Sequence, residues 1–237
     1  MPLPTHTVNA LGLFLRADAE GLHGWAARSG WPLVGFCVTV IVFGAGLYGA
    51  VIGSWWAPLQ AAFVSIKLPL LMLLTTVGNG LLNGMLAPLL GVRITFRQSV
   101  TAVLVSFAIS SAILGALSPV ALFVVWNTPP LTNATCITSR EYCLLQLTLV
   151  AFIAFSGVVG NVRLLPVLEQ WTRRRKPALK VLCAWLAGNL FLGSQLCWIL
   201  RPFIWDQSGH VRFVGPNCFQ GSFFETVFMA SRRLLGI

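Results

Sequence analysis

The feature that most constrains this chain is a series of five apolar segments, each long enough to cross a lipid bilayer as a helix. They lie at about 33–54, 69–91, 99–126, 144–168 and 179–201. A hydrocarbon core of about 30 Å needs roughly 20 apolar residues per spanning helix, and every segment meets that length. None alternates apolar and polar residues as the strands of a membrane barrel do. The sequence therefore predicts an all-α integral membrane bundle of about five transmembrane helices.

The charge content excludes a soluble domain. Charged residues make up 9% of the 237-residue chain, whereas soluble domains contain about 25%. The formal net charge of +10 comes from basic residues that flank the apolar segments, where anionic headgroups lie. No soluble domain with interleaved basic and aromatic residues is present to carry nucleic-acid binding. We therefore expect the lipid bilayer, and no nucleic acid, as a partner.

Basic residues also predict the orientation. The short connection before the fifth segment carries a run of four basic residues, and such a run marks a cytoplasmic loop. These residues are Arg173, Arg174, Arg175 and Lys176. We expect a cytoplasmic or interfacial N-terminal segment at 1–32 with no removable signal peptide, a transmembrane domain at 33–201 and an extracytoplasmic tail at 202–237.

Three further stretches have the composition of helices at the membrane surface. Residues 7–28 combine leucines at helical spacing with charges, which fits a surface helix or a helix that docks a partner. Residues 222–237 are too short and too charged to span, so an interfacial helix is expected, with a sixth membrane element as the alternative. Residues 54–69, with Trp55 and Trp56, suit a headgroup-level anchor.

Small and polar residues inside the apolar segments predict how the helices pack. Small residues at a spacing of four allow close backbone approach, and polar side chains bond across helices. The small-residue pairs are Gly49 and Gly53, Gly80 and Gly84, Ser106 and Ser110, and Ser156 and Gly160. The polar set is Asn79, Asn83, Asn161, Asn189 and Gln195. We expect interhelical hydrogen bonds from this set, with a polar permeation path as the alternative.

No Asp, Glu, Lys or His is expected within the membrane core of the segments, which disfavours proton relays and ion-coupled carriers. Arg201 falls at the end of the fifth segment, where it either reaches the headgroups or pairs with Asp206 or Glu225. We expect no cofactor, because the three histidines lie outside the segments. No metal site is expected either, because no Cys-x-x-Cys pair occurs.

Three cysteines fall on the side predicted to be extracytoplasmic: Cys136, Cys143 and Cys218. An oxidising compartment favours one disulfide among them. Cys136–Cys143 and a bridge from either residue to Cys218 both remain open.

Two stretches together resemble a known family. The first is SIKLPLLMLLTTVGNGLLNGMLAPLLGVRITFRQS, and the second is GSQLCWILRPFIWD followed by FFETV. Both resemble an uncharacterised family of bacterial polytopic membrane proteins described as Yip1-like, over roughly residues 55–237. The resemblance implies five spans, a cytoplasmic N-terminus, the bacterial cytoplasmic membrane and a membrane-organising or complex-associated role.

Signature motifs of hydrolases, zinc proteases and nucleotide-binding loops are absent from the sequence. We therefore expect a non-enzyme. The leading hypothesis is a scaffold or accessory subunit of a larger membrane assembly, with a membrane-protein partner or a second copy of itself. The alternative is a channel or transporter for a small or neutral solute that follows the polar residues through the bundle.

Overall fold

The computed structural model describes residues 31–89, 95–129, 140–172, 175–201, 203–204, 211–215 and 218–235. Within these ranges the chain forms α-helices and no strand. The helices are α1 (Trp31–Gly53), α2 (Pro58–Leu89), α3 (Phe96–Asn127), α4 (Arg140–Val162), α5 (Leu165–Thr172), α6 (Arg175–Ile199) and α7 (Phe223–Leu235). Five helical stretches are long and apolar enough to cross a membrane, and the fourth of them is α4 continued into α5. The predicted all-α membrane bundle is confirmed.

Helix α2 begins earlier than predicted. We expected the second span to open at Pro69, because proline is favoured in the first turn of a helix. The first-turn proline is instead Pro58, and the helix runs through Pro69. An interior proline is tolerated where neighbouring helices cover the freed backbone group, and Pro69 is buried close to Gly46 of α1. Most of the stretch 54–69, which we expected at the membrane surface, is therefore part of α2.

The fourth span is broken near its end by a proline. Pro166 has no N–H to donate to the carbonyl of Val162, so the α-helical ladder cannot continue through this point. The backbone turns at Arg163 and Leu164, where the Leu164 N–H donates to the Asn161 carbonyl at 3.0 Å, and α5 begins at Leu165. Helix α5 then packs against α6, which returns through the bundle.

The helices are arranged around α3. Helices α2, α3, α4 and α6 form a ring in which each contacts the next, and α1 packs outside this ring against α2 and α3. Helix α3 is the most enclosed span, with 61% of its most apolar stretch buried inside the protein. Large apolar side chains such as Phe43, Phe123 and Phe191 are exposed on the outside of the bundle, as lipid-facing residues are.

Small residues bring the backbones together as the sequence predicted. A Cβ on Gly49 would lie 2.5 Å from the carbonyl oxygen of Val64, so α1 and α2 touch through their main chains there. A Cβ on Gly160 would lie 2.6 Å from the Ser106 carbonyl oxygen, which shows the same close approach between α4 and α3. The Ser110 hydroxyl donates to the Ser156 carbonyl at 3.0 Å across that second seam. The surroundings of Gly84 lie outside the described residues.

The bundle has two distinct ends. At one end, which we call the basic end, α3 and α6 begin, and the exposed residues Arg97, Arg163, Arg175 and Lys176 lie there. At the other end, the described parts of residues 200–222 fold over the start of α2, and we call this segment the cap. Helix α7 follows the cap and packs against α4 and α6. Phe224 and Phe228, one turn apart on α7, stay exposed beside the apolar outside of the bundle.

Candidate functional site

Three of the predicted polar residues meet inside the ring of helices. The Asn79 side-chain amide of α2 donates to the Asn189 side-chain oxygen of α6, and also to the Trp185 carbonyl at 3.3 Å. The Asn189 amide in turn donates to the Asn161 side-chain oxygen of α4 at 3.1 Å. Asn161 donates to the Gly157 carbonyl of its own helix at 2.8 Å. This chain of amides, which we call the amide chain, connects three of the four helices of the ring.

The other two predicted residues stay outside the amide chain. Asn83 lies one helical turn from Asn79 on the same face of α2, and its side chain is 1% exposed. Neither its amide nitrogen nor its amide oxygen has a hydrogen-bond partner among the described residues. Gln195 is half-buried near the end of α6 and makes no side-chain hydrogen bond within the described part of the chain.

Unpaired buried polar atoms concentrate around the amide chain. Within the described chain these atoms are the Asn79 oxygen, both amide atoms of Asn83, and the hydroxyl oxygens of Ser99 and Ser106. All of them lie on α2 and α3, in the half of the ring nearer the basic end. Because a buried polar atom without a partner costs about 1–3 kcal/mol, five such atoms in one half of the ring call for a physical reason.

Local sequence explains why these groups meet. A side chain at position 188 would collide with Asn79, since a Cβ on Gly188 would lie 2.5 Å from the Asn79 oxygen. The glycine therefore lets α6 come close enough for Asn189 to reach both neighbours. Gly160 of α4 likewise lies against α3. A Cβ on Gly160 would lie 3.4 Å from the hydroxyl oxygen of Ser106, so Ser106 of α3 lies beside the residue that precedes Asn161.

Toward the cap end the buried positions of the ring include both apolar and polar residues. Leu68 and Met72 on α2, and Leu145 and Leu149 on α4, are each at most 5% exposed and belong to the hydrophobic core. Polar residues that are at most 6% exposed occur here as well, and their hydroxyls donate to carbonyls of their own helices: Thr75 and Thr76 on α2, Ser111 and Ser118 on α3, and Ser194 on α6.

Lys67 is a buried cation that the sequence reading misplaced. We counted it as a residue flanking the second span, because we predicted that this span begins at Pro69. It lies inside α2 and is fully buried, with its ammonium group over the rings of Phe213 and Phe203 at 5.2 Å and 5.6 Å from their centroids. Its Nζ donates to the Arg212 carbonyl at 3.5 Å. Aromatic faces and a carbonyl compensate for the loss of water around the charge.

Arg201 joins the end of α6 to the cap. Its guanidinium lies 3.7 Å from the ring centroid of Trp198 and donates to the Gln220 carbonyl at 2.9 Å. The Trp198 indole N–H donates to the same carbonyl at 2.8 Å. Of the two acidic partners considered for Arg201, Asp206 lies outside the described residues and Glu225 is exposed on α7. Arg201 thus holds the chain as it turns back over the bundle.

Two other predicted features differ from the structure or lie outside it. Cys143 and Cys218 are free thiols, so neither the Cys136–Cys143 bridge nor a bridge to Cys218 is formed. The reason is that α4 begins at Arg140, which puts Cys143 in its first turns with the thiol buried in the bundle. Cys136 lies outside the described residues, as do Arg173 and Arg174. Arg175 and Lys176 are exposed in the first turn of α6, and Arg175 Nε lies 3.5 Å from Glu169 Oε1.

No group of three or more His, Cys, Asp or Glu residues that could hold a metal ion occurs in the described ranges. Comparison of the chain with protein-family models, curated proteins and solved structures finds no significant match.

Proposed function

We propose that this chain is a non-catalytic membrane protein that acts as a scaffold or accessory subunit of a larger membrane assembly. In this proposal the exposed face of α6 packs against a transmembrane helix of a partner protein or of a second copy. The observation that carries the proposal is a mismatch on α6 between its polarity and its exposure.

Helix α6 is both the least hydropathic and the least buried of the five spans. Only 22% of its most apolar stretch is buried inside the protein. A helix that faces lipid on most of its surface is expected to be the most apolar, because unpaired polar groups are costly in hydrocarbon. Gln195, which has no hydrogen bond within the described chain, is such a group. A second helix against α6 would supply the missing partner.

The exposed face of α6 also has the shape that favours helix association. Cys183 and Ala187 are exposed and four residues apart, so they lie on one face of the helix. Small residues at this spacing let a second helix approach closely, which is the main source of attraction between helices in lipid. Leu190 and Phe191 continue the exposed face toward the cap end.

The chemistry of the interior supports a non-catalytic role. The buried groups of the ring are amides and hydroxyls, which are weak acids and bases at neutral pH. The buried cation, Lys67, is enclosed by aromatic rings and the cap. The family resemblance, the bacterial cytoplasmic membrane and a cytoplasmic N-terminus remain predictions, and they agree with such a role.

Replacing Ala187 with leucine is expected to weaken the proposed assembly. The added side chain would stand between α6 and the helix that packs on it, while the fold of the chain itself stays intact because position 187 is exposed. The protein would be purified from native membranes in a mild detergent, and the stoichiometry of bound membrane protein would be measured. We expect at least a fivefold loss of stoichiometric partner, or of dimer.

The matched control is Ala116→Leu, the same change at an exposed position of α3. It should leave the recovered complex unchanged. A wild-type protein that is recovered as a lone monomer, or an Ala116→Leu variant that loses the partner as fully as Ala187→Leu, would count against the proposal.

The proposed orientation can be tested with a membrane-impermeant maleimide on sealed cells. In a background without native cysteines, Phe219→Cys in the cap should be labelled from outside, because position 219 is 83% exposed. Lys176→Cys, exposed at the basic end, should be labelled only after the cells are opened. The reverse pattern would show that the basic end faces outward.

A further inference from the structure

The half of the ring nearer the basic end contains several neutral polar side chains with unused hydrogen-bonding capacity among the described residues. Asn83 is the most informative member, because it is 1% exposed and both of its amide atoms are unpaired among the described residues. In hydrocarbon such a side chain would be expected to find a protein partner. Asn79, one turn away on α2, does so with Asn189, and Asn189 does so with Asn161.

The unpaired atoms of Asn79, Asn83 and Ser99 lie at neighbouring levels of the ring, and Ser106 lies farther along α3. Asn83 shares the face of α2 with Asn79, which points toward α6. On α3, Val100 packs against Gly80, so Ser99 and Asn79 lie at neighbouring levels. Ser106 lies beside Gly160, the residue before Asn161, which accepts from Asn189. The amide chain therefore connects the unpaired atoms of α2 with those of α3.

We propose that Asn83, Ser99 and the unpaired oxygen of Asn79 form a binding site for a small uncharged molecule that both donates and accepts hydrogen bonds, with Asn83 as its anchor. The amide of Asn83 offers two donors and an acceptor, and the hydroxyl of Ser99 can act as either. A ligand of this class would satisfy the polar atoms that the protein leaves unpaired.

The surroundings limit the charge and size of the ligand. Among the described residues, the charged side chains nearest the group in sequence, Arg97 and Arg163, are exposed rather than turned into the ring. Within the described ranges these charges do not compensate for an ionic ligand, whose burial would be costly. The levels of Asn79 and Asn83 differ by about 6 Å along α2, which suits a molecule of a few non-hydrogen atoms. This site goes beyond the scaffold role and does not depend on it.

Acetamide and acetate provide a matched pair of probes, because they have nearly the same shape and differ in charge. Saturation transfer from the full-length protein in lipid nanodiscs to the probe methyl group can be measured by NMR, which suits weak binding. We expect saturable transfer to acetamide, and at least fivefold less to acetate. Asn83→Leu should lower the acetamide signal at least threefold, whereas Asn127→Leu, an exposed amide at the end of α3, should leave it unchanged.

The folding of each variant is checked by its melting temperature. If Asn83→Leu does not fold, Ser99→Ala removes the hydroxyl at the level of the site and should lower the acetamide signal at least twofold, whereas Ser106→Ala, about 10 Å farther along α3, should not. Equal transfer to acetamide and acetate would overturn the proposal. So would the absence of saturable transfer to acetamide in the wild type, or a signal that Asn83→Leu or Ser99→Ala leaves unchanged.

Discussion

Replacing Gly49 with alanine is expected to destabilise the bundle by about 1–3 kcal/mol, the usual cost of an overpacked site. The new Cβ would lie 2.5 Å from the Val64 carbonyl oxygen and 2.9 Å from the carbon of the same group. Both atoms belong to the main chain of α2, so no side chain can rotate away to make room. The two helices would have to separate over the length of the seam. Equilibrium unfolding in mixed detergent micelles measures the loss.

The matched control is Gly35→Ala, on the same helix. A Cβ at position 35 meets no atom within 4 Å. Alanine is favoured over glycine inside a helix by about 1 kcal/mol, so this variant should be as stable as the wild type or more stable. The two substitutions are chemically identical and are expected to act in opposite directions. Equal effects of Gly49→Ala and Gly35→Ala would mean that the seam between α1 and α2 is not closely packed.

The contrast between these glycines shows what the sequence can predict about packing. The spacing of Gly49 and Gly53 predicted a close contact, and the structure has one. The spacing could not identify α2 as the partner helix, since every other span also offers small residues. Gly44, outside any predicted pair, makes a second close approach, to the Ser111 carbonyl of α3. Helix α1 therefore contacts two helices through two different faces.

The polar residues likewise show which contacts the sequence predicts and which only the structure reveals. Composition was enough to predict that asparagines inside apolar segments would bond between helices. The sequence could not separate Asn79, which reaches α6, from Asn83, one turn away on the same face. That difference depends on the position of α6 along α2, where Gly188 lies against Asn79. Gln195 was placed in the same set, but it lies nearer the cap end on α6 and does not join the amide chain.

Lys67 shows how a local rule fails in a membrane bundle. Proline at position 69 argued for a helix start, and that assignment moved the lysine out of the second span. The signal that could have corrected the reading is the pair Phe203 and Phe213, aromatic residues after the fifth span with which a buried ammonium can interact. The sequence alone could not show this contact, because the fold of the cap brings Phe203 and Phe213 to Lys67 from a distant part of the chain.

Replacing Asn189 with leucine is expected to cost about 2 kcal/mol of folding free energy. Asn189 accepts from Asn79 and donates to Asn161, so a single change removes both interhelical bonds. Such bonds contribute about 0.6–2 kcal/mol each in membrane proteins. Leucine has a similar size but no polar atom, so the loss comes mainly from unpaired amides on α2 and α4. The measurement is again equilibrium unfolding in mixed micelles.

Gln195→Leu is the control on the same helix. It also exchanges an amide for leucine, but Gln195 has no side-chain hydrogen bond within the described chain. Its removal from the isolated protein should change the unfolding free energy by less than about 0.5 kcal/mol. The double-mutant cycle of Asn79→Ala and Asn189→Ala then isolates the bond between α2 and α6, because coupled residues depart from additivity. If Asn189→Leu were as stable as Gln195→Leu and the cycle gave no coupling, the amide chain would not hold the ring together, and the close approach of small residues would be left as its main support.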